Sequence, residues 1–474
     1  MVFSSSLFLL YFFPLFLIVY FISPYKSRNF IIVLASVLFY SWGGPKYIFI
    51  IFFSILLDFF FARFIHKAKG QKRKLLLVFA ISINLGFLAY FKYANFFLDN
   101  LNSSLAYFSF GSFDFIRVAL PIGISFFTFH EMSYIIDVYR DDKPPMKNII
   151  DYSLYILFFP QLIAGPIIRF NEIADQITNR KSQETIDNKL IGFYRFVIGL
   201  SKKVLIANVI GAEADRIFAM NMHDINTATA WIGITAYAFQ IYFDFSGYSD
   251  MAIGIARMLG FVFPENFNNP YTSQSITEFW RRWHITLSRW MRDYLYIPLG
   301  GSRVNNSAKL YFNLWVVFLL SGLWHGAAWN FIAWGTYHGL FLIADRLFLL
   351  KFLNRIGKIP AIIITFVICL VGWVFFRISD ISMAFAFIGK MFAFNFSGIN
   401  LYFDAKFKFV ILLAFFFSFV NAFKIGVALE KIFFAKTYSL KGFYSMTILS
   451  IALFVLSLAY ITSSGFNPFI YFRF

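Results

Sequence analysis

Residues 318–340 read "FLLSGLWHGAAWNFIAWGTYHGL". The stretch is apolar enough to lie in a membrane, yet it carries His325 and His338. An ionisable ring at membrane depth is costly, so it marks either a functional cavity or a packing position satisfied by its neighbours. Around His325 lie Trp324 and Gly326, with Ser321, Gly322, Ala327 and Ala328 close by in sequence, and these small residues point to a ring that a ligand can reach. An imidazole titrating near neutrality can take a proton from a hydroxyl and return it to a leaving group. His338 has no such surround and reads as a helix-packing residue.

Working outward, the chain has 474 residues, of which 59% are hydrophobic and 14% charged, with 70 phenylalanines. That balance excludes an ordinary soluble protein and indicates an all-α, multi-pass membrane protein. The formal charge of +18 would suggest nucleic acid in a soluble domain, but here the basic residues sit in short loops between apolar runs. That is a positive-inside pattern, and no nucleic-acid partner is expected. Cys369 is the single cysteine, which excludes an intrachain disulfide or thiol cluster. Apolar runs near 5–23, 29–43, 47–64, 74–93, 151–168, 190–210, 228–258, 308–324, 327–348, 359–377, 406–424 and 444–462 predict spans, about 11–13 in all at some 20 residues each. Residues 2–23 have no basic residue ahead of them and read as an uncleaved first span. "SPYKSRN" (23–29) and "RFIHKAKGQKRK" (63–74) predict cytoplasmic loops, while "SWGGPK" (41–46) and a loop over 94–112 alternate with them. The N-terminus is therefore expected outside. With no soluble domain or internal repeat in view, 1–474 reads as a single membrane domain.

Several stretches do not read as plain spans. "VALPIGISFFTFHEMSYIIDVYR" (118–140) is broken by Pro121 and Gly123 and carries His130–Glu131, and "FFPQLIAGPIIRF" (158–170) holds two prolines and a glycine. Such breaks are either kinks in packed helices or re-entrant elements lining a funnel. In "YFDFSGYSDMAIGIARMLG" (242–260), Gly247, Ser249, Ala252, Gly254 and Ala256 predict close helix approach. Asp250 and Arg257, seven apart, are expected to neutralise each other.

"TEFWRRWHITLSRWMRDYLYIPLGGSR" (277–303) places Trp280, Trp283, Leu287, Trp290 and Tyr294 on one face of a helical wheel. Arg281, Arg282, Arg289 and Arg292 fall on roughly the opposite face, and His284 at the edge of the aromatic one. This describes an anchoring helix at the membrane–water interface. Its guanidinium groups also suit a phosphorylated cytosolic ligand. His130, His284 and His325 have no metal-ligand spacing, so no metal is expected.

Taken together, "FFPQLIAGPIIRF", "YFDFSGYSDMAIGIARMLGF", "FPENFNNPY", "EFWRRWHITLSRWMRDYLYIPLGG" and "SGLWHGAAWNFIAWGTYHG" resemble the membrane-bound O-acyltransferase family, densest over 118–345. The likeness is to its bacterial polysaccharide O-acetylation branch, which includes alginate and peptidoglycan O-acetyltransferases. The resemblance implies a helical bundle around a central funnel, with the family's invariant histidine at His325 and its second polar position at His284. It further implies acetyl transfer from cytosolic acetyl-CoA, a substrate rather than a bound cofactor, across the bacterial inner membrane. An extracytoplasmic partner transferase would then decorate the polysaccharide. Arg281, Arg282, Arg289 and Arg292 would hold the donor phosphates. The terminal "SGFNPFIYFRF" (464–474) resembles an aromatic motif of this branch, with Tyr471 as an acyl-relay position, although an interfacial aromatic belt explains the same residues. Broken helices and intramembrane charge also describe a transporter or flippase of an acyl carrier. A passive scaffold for glycan machinery is a third reading, which His325→Ala would leave unaffected.

Overall fold

A computed structural model describes residues 1–397 and 401–463. It is an all-α, multi-pass membrane protein, and among the described residues no strand forms. Among the described residues, six helical stretches are long and apolar enough to cross a membrane: Pro45–Lys67, Gly70–Tyr107, Ser307–His325, Lys358–Arg377, Ala405–Ala422 and Leu440–Ser463. The other apolar runs fall short of that standard for identifiable reasons. The run over 151–168 is broken before Pro160, that over 29–43 forms a helix of 14 residues, and that over 228–258 carries Asp244, Asp250 and Arg257.

The chain packs as two compact units, one of residues 1–2 and 7–183, the other of residues 3–6 and the described residues from 184 on. The first unit contains α1 (Phe13–Ile22), α2 (Arg28–Ser41), α3 (Ile48–Lys67), α4 (Gly70–Leu88), α5 (Ala94–Tyr107), α6 (Ile124–Tyr139), α7 (Ile149–Leu157), α8 (Phe159–Leu162) and α9 (Phe170–Thr178). α5 occupies much of the stretch expected to be a loop, although Asn, Asp, Ser and aromatic residues make up most of it. The two expected breaks meet. α6 starts after Gly123, whose φ of +75° suits glycine, and a Cβ there would lie 2.7 Å from the Leu162 carbonyl oxygen. The breaks on either side of α8, at Phe158 and Ile163–Ala164, are buried, as non-helical backbone at membrane depth requires. In the core of this unit Ser54 Oγ donates to Glu131 at 2.6 Å, and Asn84 donates to both Asp58 oxygens.

The second unit contains α10 (Ile186–Ser201), α11 (Asn208–Phe218), α12 (Thr227–Met258), α13 (Ile276–Arg282), α14 (Ile285–Met291), α15 (Ser307–His325), α16 (Trp329–Ala344), α17 (Leu350–Ile356), α18 (Lys358–Arg377), α19 (Ile381–Met391), α20 (Ala405–Phe419), α21 (Lys424–Phe433) and α22 (Leu440–Ser463). α12 is its axis, 32 residues long and buried along most of its length. Asn226 caps its start by accepting from the Thr229 N–H. The small residues read in its sequence do allow close approach, and the helix they admit is α10. Ideal Cβ atoms on Gly192 and Gly199 would lie 2.6 and 2.5 Å from the carbonyl oxygens of Gly254 and Gly247.

The expected Asp250–Arg257 pair does not form. Asp250 instead meets Arg195 and Lys202 of the neighbouring segment at 2.6 Å each, and Arg195 also binds Glu265. Arg257 donates to the Asn188 side chain and the Lys436 carbonyl. Residues seven apart share a helix face, but the side chains of an adjacent helix are nearer. A π-helical turn over Lys202–Ala207 joins α10 to α11, and Lys203 pairs with Asp244 at 2.7 Å, both nearly fully buried.

Asp250→Ala leaves the half-buried Lys202 without its carboxylate and Arg195 with Glu265 alone, so it should cost up to about 3–5 kcal/mol. Arg257→Gln removes hydrogen bonds worth about 0.5–1.5 kcal/mol each. Thermal unfolding in detergent should therefore rank Asp250→Ala well below Arg257→Gln, and equal losses would mean the pairing described here is wrong. Gly254→Leu should open the α10–α12 seam and lower the unfolding temperature by an amount matching about 1–3 kcal/mol.

Candidate active site

The "TEFWRRWHITLSRW" segment is not the continuous interfacial helix expected. α13 is capped by Ser275, whose side chain accepts from the Glu278 N–H, and it ends at Arg282. Trp283 is extended and His284 takes φ +45°, ψ +54°, a left-handed conformation uncommon outside glycine, before α14 begins at Ile285. A local backbone clamp holds this break. Ile285 N–H donates to the Asn266 carbonyl, and Asn268 N–H to the Arg282 carbonyl, each at 2.9 Å. Those bonds satisfy groups that the missing helical turn leaves open and offset a backbone strain of order 1–3 kcal/mol.

The aromatic face is buried within the second unit, so it serves as core and not as a lipid anchor. Trp280 packs edge-on against Trp334 and His338, and Trp283 meets Trp373 at 4.9 Å between ring centroids. Of the arginines, Arg281, Arg289 and Arg292 are exposed, and Arg292 pairs with Asp293. Arg282 is half-buried, paired with Glu278 and bonded to Thr272.

The break delivers His284 to His325. His325 is the last residue of α15, and the extended Gly326 ends the helix there. The imidazole centroids of His284 and His325 are 6.4 Å apart, and both residues are buried. Aromatic rings enclose the pair. Trp324, Trp334 and Phe376 stand edge-on to His325 at 5.0–5.3 Å, and Phe245 is perpendicular to His284 at 4.7 Å. Such an enclosure excludes bulk water and presents few competing hydrogen-bond partners.

The glycines beside His325 do a different job from the one read in the sequence. A Cβ on Gly322 would collide with the Phe331 carbonyl, and one on Gly326 with the Phe331 ring. They let α16 fold tightly back on α15, which sets where His325 points; they are not space left for a ligand. Asn330 Nδ2 donates to the Phe375 carbonyl at 3.0 Å and ties the start of α16 to α18 beside Phe376.

His338 lies one helix face away among Trp280, Trp334 and Tyr337, with its Nε2 2.5 Å from where a Cβ on Gly372 would sit. The rings enclose His338, and neither of its nitrogens has a hydrogen-bond partner among the described residues. His130 belongs to the first unit, on α6, edge-on to Tyr155 at 5.5 Å. Among the described residues no three His, Cys, Asp or Glu side chains gather as a metal site. Tyr471 lies outside the described residues.

Asn266 went unnoticed in the sequence reading although it stands in "FPENFNNPY". It is fully buried; its Oδ1 accepts from Thr286 N–H and Oγ–H and lies 3.1 Å from His284 Nδ1, while its Nδ2 donates to Ser249 Oγ. No local signal separates it from Asn268 and Asn269 of the same motif; its place beside His284 is set by the fold.

The sequence model of the membrane-bound O-acyltransferase family, MBOAT, matches residues 6–379. The chain is 44% identical over 397 residues to the probable alginate O-acetylase AlgI of Pseudomonas aeruginosa, covering 83% of this chain and 75% of that protein. It is 37% identical over 429 residues to the peptidoglycan O-acetyltransferase of Helicobacter pylori, covering 83% and 80%. A teichoic acid D-alanyltransferase of Bacillus subtilis is 32% identical over 267 residues, covering 52% and 65%. A family model matched over residues 6–379, with acetylating relatives 37–44% identical over most of their length, thus identifies the chain as an O-acyltransferase that belongs to the membrane-bound O-acyltransferase family.

Proposed function

We propose that the protein moves an acetyl group from cytosolic acetyl-CoA across the bacterial inner membrane for O-acetylation of a cell-envelope or secreted polysaccharide, of the peptidoglycan or alginate kind. The observation that carries this reading is the His284–His325 pair inside an aromatic enclosure. The acetylating relatives, at higher identity and coverage than the D-alanylating one, support acetyl as the group transferred.

In this reaction a hydroxyl oxygen forms a bond to the acetyl carbonyl carbon and the thioester C–S bond breaks. His325 takes the hydroxyl proton as oxygen attacks and returns it to the departing thiolate, so acetyl-CoA and alcohol become ester and free thiol. His284 orients the hydroxyl or polarises the carbonyl beside it. The surrounding Trp and Phe rings keep water from hydrolysing the thioester. Exposed Arg281 and Arg289, with Arg282 and Arg292 beside them in the chain, are suited to the donor phosphates. Tyr471 is the relay position: its phenol accepts the acetyl group, and a phenyl ester is activated enough to pass it to an extracytoplasmic partner transferase. The basic loops at 23–29 and 63–74 support an N-terminus outside the cytoplasm. The family match, which runs through both compact units as far as residue 379, supports reading them as parts of one domain; 1–474 as that domain, with the aromatic motif at 464–474, is part of the proposal.

In reconstituted membranes given radiolabelled acetyl-CoA, His325→Ala should lose about 10²–10⁴-fold in transfer, the usual worth of a general base. Label recovered on the C-terminal peptide of wild type, and absent from both His325→Ala and Tyr471→Phe, would support the relay. Transfer that needs His325 but not Tyr471 would discard the relay alone. An active preparation with no His325-dependent use of acetyl-CoA would return the acyl-carrier flippase reading. His338→Leu should keep its transfer activity while losing about 1–3 kcal/mol of stability, as a reshaped core position does.

A further inference from the structure

We infer that Asn266 is the positioning residue that fixes His284 in its Nδ1–H tautomer, so that Nε2 is offered to the substrate as a proton acceptor. The inference rests on the proposed acyl transfer and deepens it, because it selects between the roles left open for His284. It follows from which atoms can donate. The Thr286 backbone N–H cannot accept a hydrogen bond, so the Asn266 atom it faces is the carbonyl oxygen. The Asn266 amide nitrogen is turned the other way, to Ser249 Oγ at 3.0 Å. The oxygen 3.1 Å from His284 Nδ1 is therefore an acceptor only, and Nδ1 must carry the proton. In the neutral ring Nε2 is then a lone pair, and this buried atom has no hydrogen-bond partner among the described residues. A ring so fixed cannot polarise an acetyl carbonyl from Nε2. It accepts a hydrogen bond from the hydroxyl as that group enters, holding the oxygen beside His325, and gives up that one hydrogen to His325 when the oxygen attacks.

The geometry gives this tautomer few competitors. From α15, His325 faces His284 at 6.4 Å. The carboxylates of α12 are engaged elsewhere, Asp244 with Lys203 and Asp250 with Arg195 and Lys202, and Glu265 pairs with Arg195. Phe245 and Trp324, packed against the ring, bring no charge. The left-handed backbone at His284 and the clamp to the Asn266 carbonyl keep ring and amide in register.

Histidine-¹⁵N-labelled protein in detergent tests the inference directly, with the His284 signals assigned by their loss in His284→Gln. Wild type should show His284 Nδ1 in the protonated range and Nε2 in the unprotonated range, and Asn266→Ala should show a mixture of tautomers. A protonated Nε2 in wild type, or an unchanged tautomer in folded Asn266→Ala, overturns the inference. This readout does not depend on acetyl-CoA, so its failure is distinguishable from failure of the acetyl-transfer reading. In the transfer assay, Asn266→Ala should lose about 10–100-fold in kcat, as removal of a histidine's orienting partner does elsewhere. Asn266→Asp keeps an acceptor but adds a negative charge, so its acid limb should move up by about one pH unit or more. Ser249→Ala, which alters the same network without touching Oδ1, should leave that limb and the tautomer in place. A fall in Asn266→Asp activity that is equal at every pH, with its unfolding temperature near that of wild type, would reduce Asn266 to a structural role.

Discussion

Backbone amides at membrane depth must find partners inside the protein, and at Trp283–His284 the helix that would have supplied them is interrupted. The hydrogen bonds from Ile285 to Asn266 and from Asn268 to Arg282 replace it. Everything distinctive about the site follows from that substitution. Because the 266–268 strand of chain is held against the break, the Asn266 side chain reaches His284. Because His284 is left-handed, its ring turns toward the end of α15, where His325 stands. A regular helix through the same residues would have satisfied the same amides and left His284 on a different line.

How much of this the sequence carries depends on the range of the interaction concerned. Composition and apolar runs are local sums, so the membrane class and most helices were readable. The histidines were readable too, since an imidazole between tryptophans and glycines in an apolar run is conspicuous on cost alone. The break at His284 was not. A helical wheel assumes uniform dihedral angles, and nothing local in "RRWHIT" announces a left-handed residue; the cause lies in a segment some twenty positions earlier. The aromatic face was identified correctly as a face, yet its destination, core or lipid, depends on what α16 and α18 bring to meet it.

The same limit explains the charges. Asp250 chose Arg195 and Lys202 over Arg257, because α10 packs against α12 through glycines whose partners cannot be matched from one helix alone. Gly322 and Gly326 show the converse error. Small residues beside a functional side chain were taken as room for a ligand, whereas they are filled by Phe331 and fix the direction of His325. Small residues report close approach; they do not say by what.

The π turn over Lys202–Ala207 lies between the glycine seam of α10 and the start of α11. A π turn behaves as one residue inserted into an α-helix, and a residue is worth about 100° of rotation. Lys202 and Lys203, adjacent at the start of this turn, serve different carboxylates of one neighbouring helix, Asp250 and Asp244. Its consequence is a constraint on chain length. Between Gly199 and Asn208 the spacing is set to the residue, since a deletion would restore regular helix and turn one end away from α12. Outside the ion-paired Lys202 and Lys203, point changes can be absorbed in this segment more readily than any shift in its count, so its other positions should vary across related sequences while its length is kept.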